Sequence, residues 1–142
     1  MPDFSMTNLM LGFIAAALSV VIAHQGIVWL LNKAGVWAPK AYATTPVPPF
    51  GVPVILNSIF WGGLWGVAYA AVHHLLPAGP VWAKGALFGV MIAFVSNSII
   101  LPVIKDQPLF YGFDVTKLLC VFLILSGFGA ATAIFYRALG GG

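Results

Sequence analysis

The sequence predicts an all-α integral membrane protein with four transmembrane helices in an antiparallel bundle. Of its 142 residues only 6% are charged and 61% are hydrophobic, whereas about a quarter of the residues of a soluble domain are charged. The mean hydropathy is +1.03. Four apolar stretches reach the roughly 20 residues that a helix needs to cross ~30 Å of hydrocarbon. We therefore expect a single four-helix transmembrane domain over residues 1–142.

The limits of the predicted spans follow from the residues that interrupt them. The spans run approximately from Leu9 to Leu31, Val54 to Leu76, Val81 to Ile104 and Val115 to Ala138. We expect the first span to be a retained helix and not a signal peptide. The leader carries Asp3 without Lys or Arg, and the apolar run continues beyond Ala23.

The three connections between the spans differ in kind. The first contains four prolines between Pro46 and Pro53, which cannot continue a helix and favour an extended or turning path. The second, from Pro77 to Pro80, is a tight turn that makes the second and third helices antiparallel neighbours. The third, from Lys105 to Asp114, is rich in aromatic residues and suits the membrane interface.

The basic residues predict an orientation, because loops with more Lys and Arg remain in the cytoplasm. The side with the first and third connections holds Lys33, Lys40, Lys105 and Lys117, and the opposite side holds Lys84 and Arg137. We therefore expect the first and third connections to be cytoplasmic and both termini to lie outside, in a bacterial-type inner membrane.

Small residues at intervals of four predict the packing faces, because membrane helices associate through close backbone contact. The second helix carries Gly62, Gly66 and Ala70, and the third carries Gly85, Gly89 and Ala93. Since the tight turn makes these helices neighbours, we expect the two ridges to face each other. In the alternative, one ridge is the contact face of a homo-oligomer.

Polar side chains from all four helices fall in the half of the bilayer next to the first and third connections. At a rise of ~1.5 Å per residue, His24, Asn57 and Asn97 lie roughly 5–10 Å below the same interface. The candidate ligand-binding residues at this level are His24, Gln25, Asn57, Ser96, Asn97 and Lys117. Such groups either bind a small polar ligand or join helices through hydrogen bonds worth about 0.6–2 kcal/mol.

Several function classes require residues that this sequence does not contain. The basic residues are scattered singly, so no nucleic-acid partner is expected. There is no Cys/His cluster with the spacing of metal ligands, no cofactor motif and no catalytic triad, so we expect no metal, no cofactor and no enzymatic activity. His24 lies roughly 20 Å along the helix rise from His73 and His74, so these histidines cannot share one haem.

In size and helix count the chain resembles the small multidrug resistance transporters. That family couples transport to a glutamate in its first membrane helix, and this chain contains no glutamate. The resemblance therefore implies a four-helix architecture without the coupling residue.

These observations favour a small accessory or structural membrane protein. Its expected partners are the lipid bilayer and either a second copy of itself or a larger membrane complex. The first alternative is a small transporter or channel with a polar site near His24, Asn57 and Asn97. The second is a quinone- or haem-contacting redox subunit that uses His24.

Overall fold

The computed structural model describes residues 5–37, 40–47, 51–77, 79–104 and 109–141. Four long apolar helices pack antiparallel within these ranges, which confirms the predicted fold class. Helix 1 covers Met6–Ala34, helix 2 Val54–Leu75, helix 3 Val81–Ile104 and helix 4 Val115–Ala138. All four are long and apolar enough to cross a bilayer, so the chain is a membrane protein.

Helix 1 is longer than the predicted span and is not α-helical throughout. It consists of an α-helix over Met6–Ser19, a π-helical turn over Val20–His24 and a second α-helix over Gln25–Ala34. The helix begins where the Ser5 hydroxyl oxygen accepts a hydrogen bond from the backbone N–H of Asn8. It ends at Gly35, whose φ of +77° is accessible to glycine without strain. These two caps explain the extra residues at both ends.

Helices 2 and 3 also depart from regular α-helix, whereas helix 4 does not. Helix 2 is α-helical over Val54–Val72 and ends in a 3-10 turn over His73–Leu75, and helix 3 is α-helical over Val81–Val95 and π-helical over Ser96–Ile104. Pro102 lies in that π-helical region, where a wider turn accommodates the proline ring and its missing N–H.

Short elements lie in two of the connections. In the first, Pro46–Val47 pairs antiparallel with Val52–Pro53, in agreement with the extended path that the prolines favour. In the third, Phe110–Phe113 forms a single turn in which every residue has a positive φ. The Lys105 and Asp106 pair lies outside the described residues.

Glycine allows helix 1 to pack on helix 2 and helix 3 to pack on helix 4. Gly66 lies against the backbone of Gly12, and Gly89 lies against the backbone of Leu125 and Gly129. At each place an added Cβ would overlap the backbone of the opposite helix. These close approaches therefore depend on the absence of a side chain.

The predicted pairing of the ridge on helix 2 with the ridge on helix 3 is wrong. The ridge with Gly62 and Gly66 faces helix 1, and the ridge with Gly85 and Gly89 faces helix 4. Helices 2 and 3 meet through aromatic rings instead. The ring centroid of Phe88 lies 6.4 Å from that of Trp65 and 5.3 Å from that of Tyr69. Because any smooth ridge fits any other, the spacing of small residues does not identify the partner helix.

A buried hydrogen bond joins helix 1 to helix 4 near the middle of the bundle. The Ser19 hydroxyl donates to the carbonyl oxygen of Phe128 at 2.7 Å. The Thr132 hydroxyl donates to the same oxygen at 2.8 Å from within helix 4. Both hydroxyls are buried, so this carbonyl satisfies two polar groups that would otherwise face a nonpolar interior.

Candidate functional site

His24 and Gln25, two of the six candidate binding residues, contact each other at the end of the π-helical turn. Gln25 Nε2 lies 3.1 Å from His24 Nδ1, and Gln25 Oε1 accepts the Tyr42 backbone N–H at 2.7 Å. Because the amide oxygen is engaged by an N–H donor, the NH₂ group is the one that faces the imidazole. His24 Nδ1 can accept this hydrogen bond in the tautomer that carries its proton on Nε2.

Polar groups of helix 1 hold the first connection against the bundle. The Tyr42 hydroxyl donates to the carbonyl oxygen of Val21, inside the π-helical turn, at 2.6 Å. Two turns further along helix 1, Asn32 donates from Nδ2 to the Trp37 carbonyl oxygen at 2.7 Å, and its Oδ1 accepts the Ala41 N–H at 3.0 Å. These hydrogen bonds fix the described part of the first connection on helix 1.

Ligation of a haem by His24 would change the present contacts of its ring. An axial ligand must offer a nitrogen lone pair to the iron. In the tautomer that carries its proton on Nε2, the lone pair of Nδ1 accepts from Gln25. The ring also packs edge-on against Phe128, with the centroids 5.9 Å apart. Ligation would require both a change of tautomer and the loss of the Gln25 contact.

Asn97 is the most deeply buried of the candidate residues, with 0% of its surface exposed. Its Nδ2 donates to the carbonyl oxygen of Ala93, one turn earlier in helix 3, at 2.7 Å. No donor within hydrogen-bonding distance of Asn97 Oδ1 occurs in the described part of the chain. Gly85, Gly89, Ala93 and Asn97 follow one another at intervals of four, so Asn97 continues the ridge that faces helix 4.

Among the described residues, no hydrogen bond or ring contact joins Lys117, Ser96 or Asn57 to His24. Lys117 is exposed in the first turn of helix 4, where its backbone N–H donates to the Asp114 carboxylate at 3.1 Å. Ser96 is half-buried at the start of the π-helical part of helix 3. Asn57 is half-buried on helix 2, and helical spacing places it on the side opposite Gly62 and Gly66. A shared ligand site formed by the polar residues of all four helices therefore stays a prediction.

A second polar region, which the sequence reasoning did not identify as a site, lies at the other end of the bundle. A pocket of about 330 Å³ opens there between helices 2, 3 and 4. Its polar lining comes from Tyr69, His73, Lys84, Tyr136 and Arg137. We call it the terminal pocket.

Packed aromatic rings form the inner wall of the terminal pocket. His73 stacks on Tyr69 with the centroids 5.5 Å apart, and the two tyrosine rings Tyr69 and Tyr136 meet edge-on at 5.6 Å. Phe88 packs against the other side of Tyr69. Tyr69 and Tyr136 are each 2% exposed, so the wall is fixed by burial. The sequence did contain a signal for this site, because Lys84 and Arg137 were already expected on one side of the membrane.

No family model matches this chain, and no characterised protein or solved structure matches it either. The fold and the two polar regions define a small polytopic membrane protein with four transmembrane-length helices in a bundle. One end of the bundle is covered by a connection that is hydrogen-bonded to helix 1. The other end carries the terminal pocket.

Proposed function

We propose that this protein is a small structural membrane subunit without enzymatic activity, which self-associates through the outer face of helix 2. That face consists of Asn57, Phe60, Trp61 and Leu64, which share one side of the helix at spacings of three, four and seven residues. The observation that carries the proposal is the position of the Asn57 amide, which lies within a transmembrane span on the outer side of helix 2, next to the aromatic side chains of Phe60 and Trp61.

The exposure of these residues supports a helix-to-helix contact. Phe60 is 51% exposed and Trp61 is 56% exposed, although aromatic rings supply much of the stable contact area when a protein surface is covered. Asn57 is half-buried, and an amide in contact with hydrocarbon is costly unless another polar group pairs with it. A transmembrane helix that offers its own amide at this depth would satisfy Asn57.

A second copy of the chain fulfils that requirement by symmetry. Two copies inserted in the same orientation place their Asn57 side chains at the same depth on either side of a two-fold axis. An amide both donates and accepts, so two facing asparagines can hydrogen-bond to each other. The glycine ridges are already used within the chain, so a contact between copies needs another face, and the Asn57 amide favours the outer face of helix 2.

The experiment measures self-association in lipid as the ratio of protein to lipid is varied. Energy transfer between labelled copies in vesicles should indicate dimers, and Asn57→Leu should weaken the dimer about fivefold, as expected for an interhelical hydrogen bond of ~1 kcal/mol. Trp61→Ala should also weaken it. Met91→Ala, which removes a side chain 48% exposed on helix 3, is the matched control and should have no effect.

Photo-cross-linking from position 61 in native membranes distinguishes a second copy from a larger complex. A product of twice the chain mass supports the self-associated form. A product of any other mass, together with a monomer in pure lipid at every protein density, refutes self-association and assigns the face to a helix of another protein.

A small channel or transporter is the second candidate function, because of the orphan oxygen of Asn97. π-helical turns occur often at functional sites, and this one begins at Ser96. A buried amide oxygen without a donor could hold a water or a passing cation. Ion flux measured with vesicles containing the protein tests this candidate. Flux that is present and then abolished by Asn97→Leu would support it, and the absence of flux would argue against it.

A further inference from the structure

We infer that the terminal pocket binds the phosphate group of an anionic membrane lipid. Lys84 from helix 3 and Arg137 from helix 4 both line this pocket. Neither has an ion-pair partner among the residues for which positions are described. His73 and the hydroxyl groups of Tyr69 and Tyr136 add groups that can donate hydrogen bonds to phosphate oxygens.

The helix termini around the pocket add to this charge. The first turn of helix 3 borders the pocket through Val81 and Lys84, and the N-terminus of a helix carries a partial positive charge that favours anions. Helix 4 ends at the same pocket with the opposite partial charge, and Arg137 lies in that last turn. A guanidinium group there offsets the helix C-terminus and remains able to bind a phosphate in a bidentate manner.

The depth of the pocket matches the level of lipid phosphates. Helices 3 and 4 each contain 24 residues, which corresponds to about 36 Å at ~1.5 Å per residue. The hydrocarbon core is ~30 Å thick, so about 3 Å of each helix end extends into the headgroup region. Lys84 is the fourth residue of helix 3 and Arg137 is the next-to-last residue of helix 4. Both side chains therefore reach the headgroup level.

Apolar side chains beside the pocket indicate a lipid as the source of the phosphate. Leu75 is 73% exposed after the end of helix 2, and Trp82 is 58% exposed at the start of helix 3. In a bilayer these side chains contact acyl chains and headgroups, so apolar surface is available next to the pocket. A lipid would place its phosphate between Lys84 and Arg137 and its acyl chains along the neighbouring apolar surface.

The test compares lipid retention by the purified full chain in detergent, measured by native mass spectrometry. The probes are phosphatidylglycerol, which is anionic, and phosphatidylcholine, which is zwitterionic, at equal concentration. The expected result is preferential retention of phosphatidylglycerol. The Lys84→Gln/Arg137→Gln variant should weaken that retention by about fivefold for each charge removed.

The matched control is Lys33→Gln/Lys117→Gln, which removes two exposed basic residues near the opposite interface. This variant should retain phosphatidylglycerol as the unmodified protein does. Equal weakening in both double variants would show general electrostatic attraction and overturn the proposal. Unchanged retention in the pocket variant would overturn it as well.

Two further measurements cover the remaining outcomes. The melting temperature in phosphatidylcholine shows whether the pocket variant is folded. If the pocket variant is unfolded, Arg137→Lys replaces it, and because this variant keeps the charge it should preserve most of the phosphatidylglycerol retention. Inorganic phosphate is added as a competitor, and displacement of phosphatidylglycerol by millimolar phosphate would assign the site to a soluble anion and overturn the lipid.

Discussion

Replacement of Gly89 by alanine is predicted to destabilise the bundle at the contact between helices 3 and 4. The new Cβ would lie 2.8 Å from the Ser126 Cα and 2.7 Å from the Leu125 carbonyl carbon. Carbon atoms prefer separations of about 3.5 Å, and the Leu125 carbonyl oxygen lies closer still to the new Cβ, so the two backbones must move apart by at least about 0.7 Å. A gap of that size forfeits about a quarter to a half of the dispersion attraction across the contact.

The expected cost follows from these distances. Overpacking of a core costs about 1–3 kcal/mol, and the upper part of that range applies because the obstacle is backbone and not a flexible side chain. Alanine regains about 1 kcal/mol through its higher helix propensity. We therefore expect Gly89→Ala to lower the free energy of unfolding by about 1–2 kcal/mol.

The assay is reversible unfolding in mixed micelles, in which the fraction of denaturing detergent is raised and helix content is followed by circular dichroism. Gly26→Ala is the matched control, because a Cβ at that position would meet no atom within 4 Å. This variant should be neutral or more stable by up to about 1 kcal/mol. If Gly89→Ala were as stable as Gly26→Ala, the close approach of helices 3 and 4 would be refuted.

The same unfolding assay tests whether the ridges of helices 2 and 3 pack on separate helices or on each other. Gly66 packs on helix 1 and Gly89 on helix 4, so the effects of Gly66→Ala and Gly89→Ala should add to within about 0.5 kcal/mol. A coupling energy well above that value would indicate that the two ridges face each other after all, as the sequence alone suggested.

Three further predictions concern single hydrogen bonds. Ser19→Ala should lower the free energy of unfolding by about 1 kcal/mol, whereas Ser126→Ala, whose hydroxyl bonds within helix 4, should change it by less than about 0.5 kcal/mol. Gln25→Ala should release the first connection and speed maleimide labelling of Cys120, which is 5% exposed; an unchanged rate would show that Gln25 does not hold it. Asn97→Leu should leave stability unchanged or raise it, because no described residue donates to the buried Asn97 Oδ1, and a clear loss of stability would contradict this expectation.

The number and position of the helices could be predicted from the sequence because lipid imposes a strong physical constraint. A backbone in hydrocarbon must form its own hydrogen bonds, so each apolar stretch of sufficient length becomes a helix. The extra residues at the two ends of helix 1 could not be predicted in the same way. They depend on local caps at Ser5 and Gly35, whose polar or flexible residues lie outside the apolar run.

Which helix packs on which could not be predicted, because the four-residue spacing of small residues is the same on more than one helix. The ridges on helices 2 and 3 share the same four-residue spacing, and both fit any smooth surface. The connection of residues 77–80 does bring helices 2 and 3 together, but the contact is made by Trp65, Tyr69 and Phe88. Aromatic contacts have no comparable spacing rule, so only the folded arrangement reveals them.

The polar side chains of helix 1 are explained by the connection that covers this end of the bundle. A π-helical turn leaves the Val21 carbonyl available to the Tyr42 hydroxyl, and Gln25 holds the Tyr42 backbone from the same side. A ligand that bound His24 Nδ1 would have to displace the Gln25 amide, which would then need a new partner inside the membrane. The two proposed sites instead involve Asn57 on the outer face of helix 2 and Lys84 and Arg137 in the terminal pocket, whose side chains form no hydrogen bond or ion pair with other described residues.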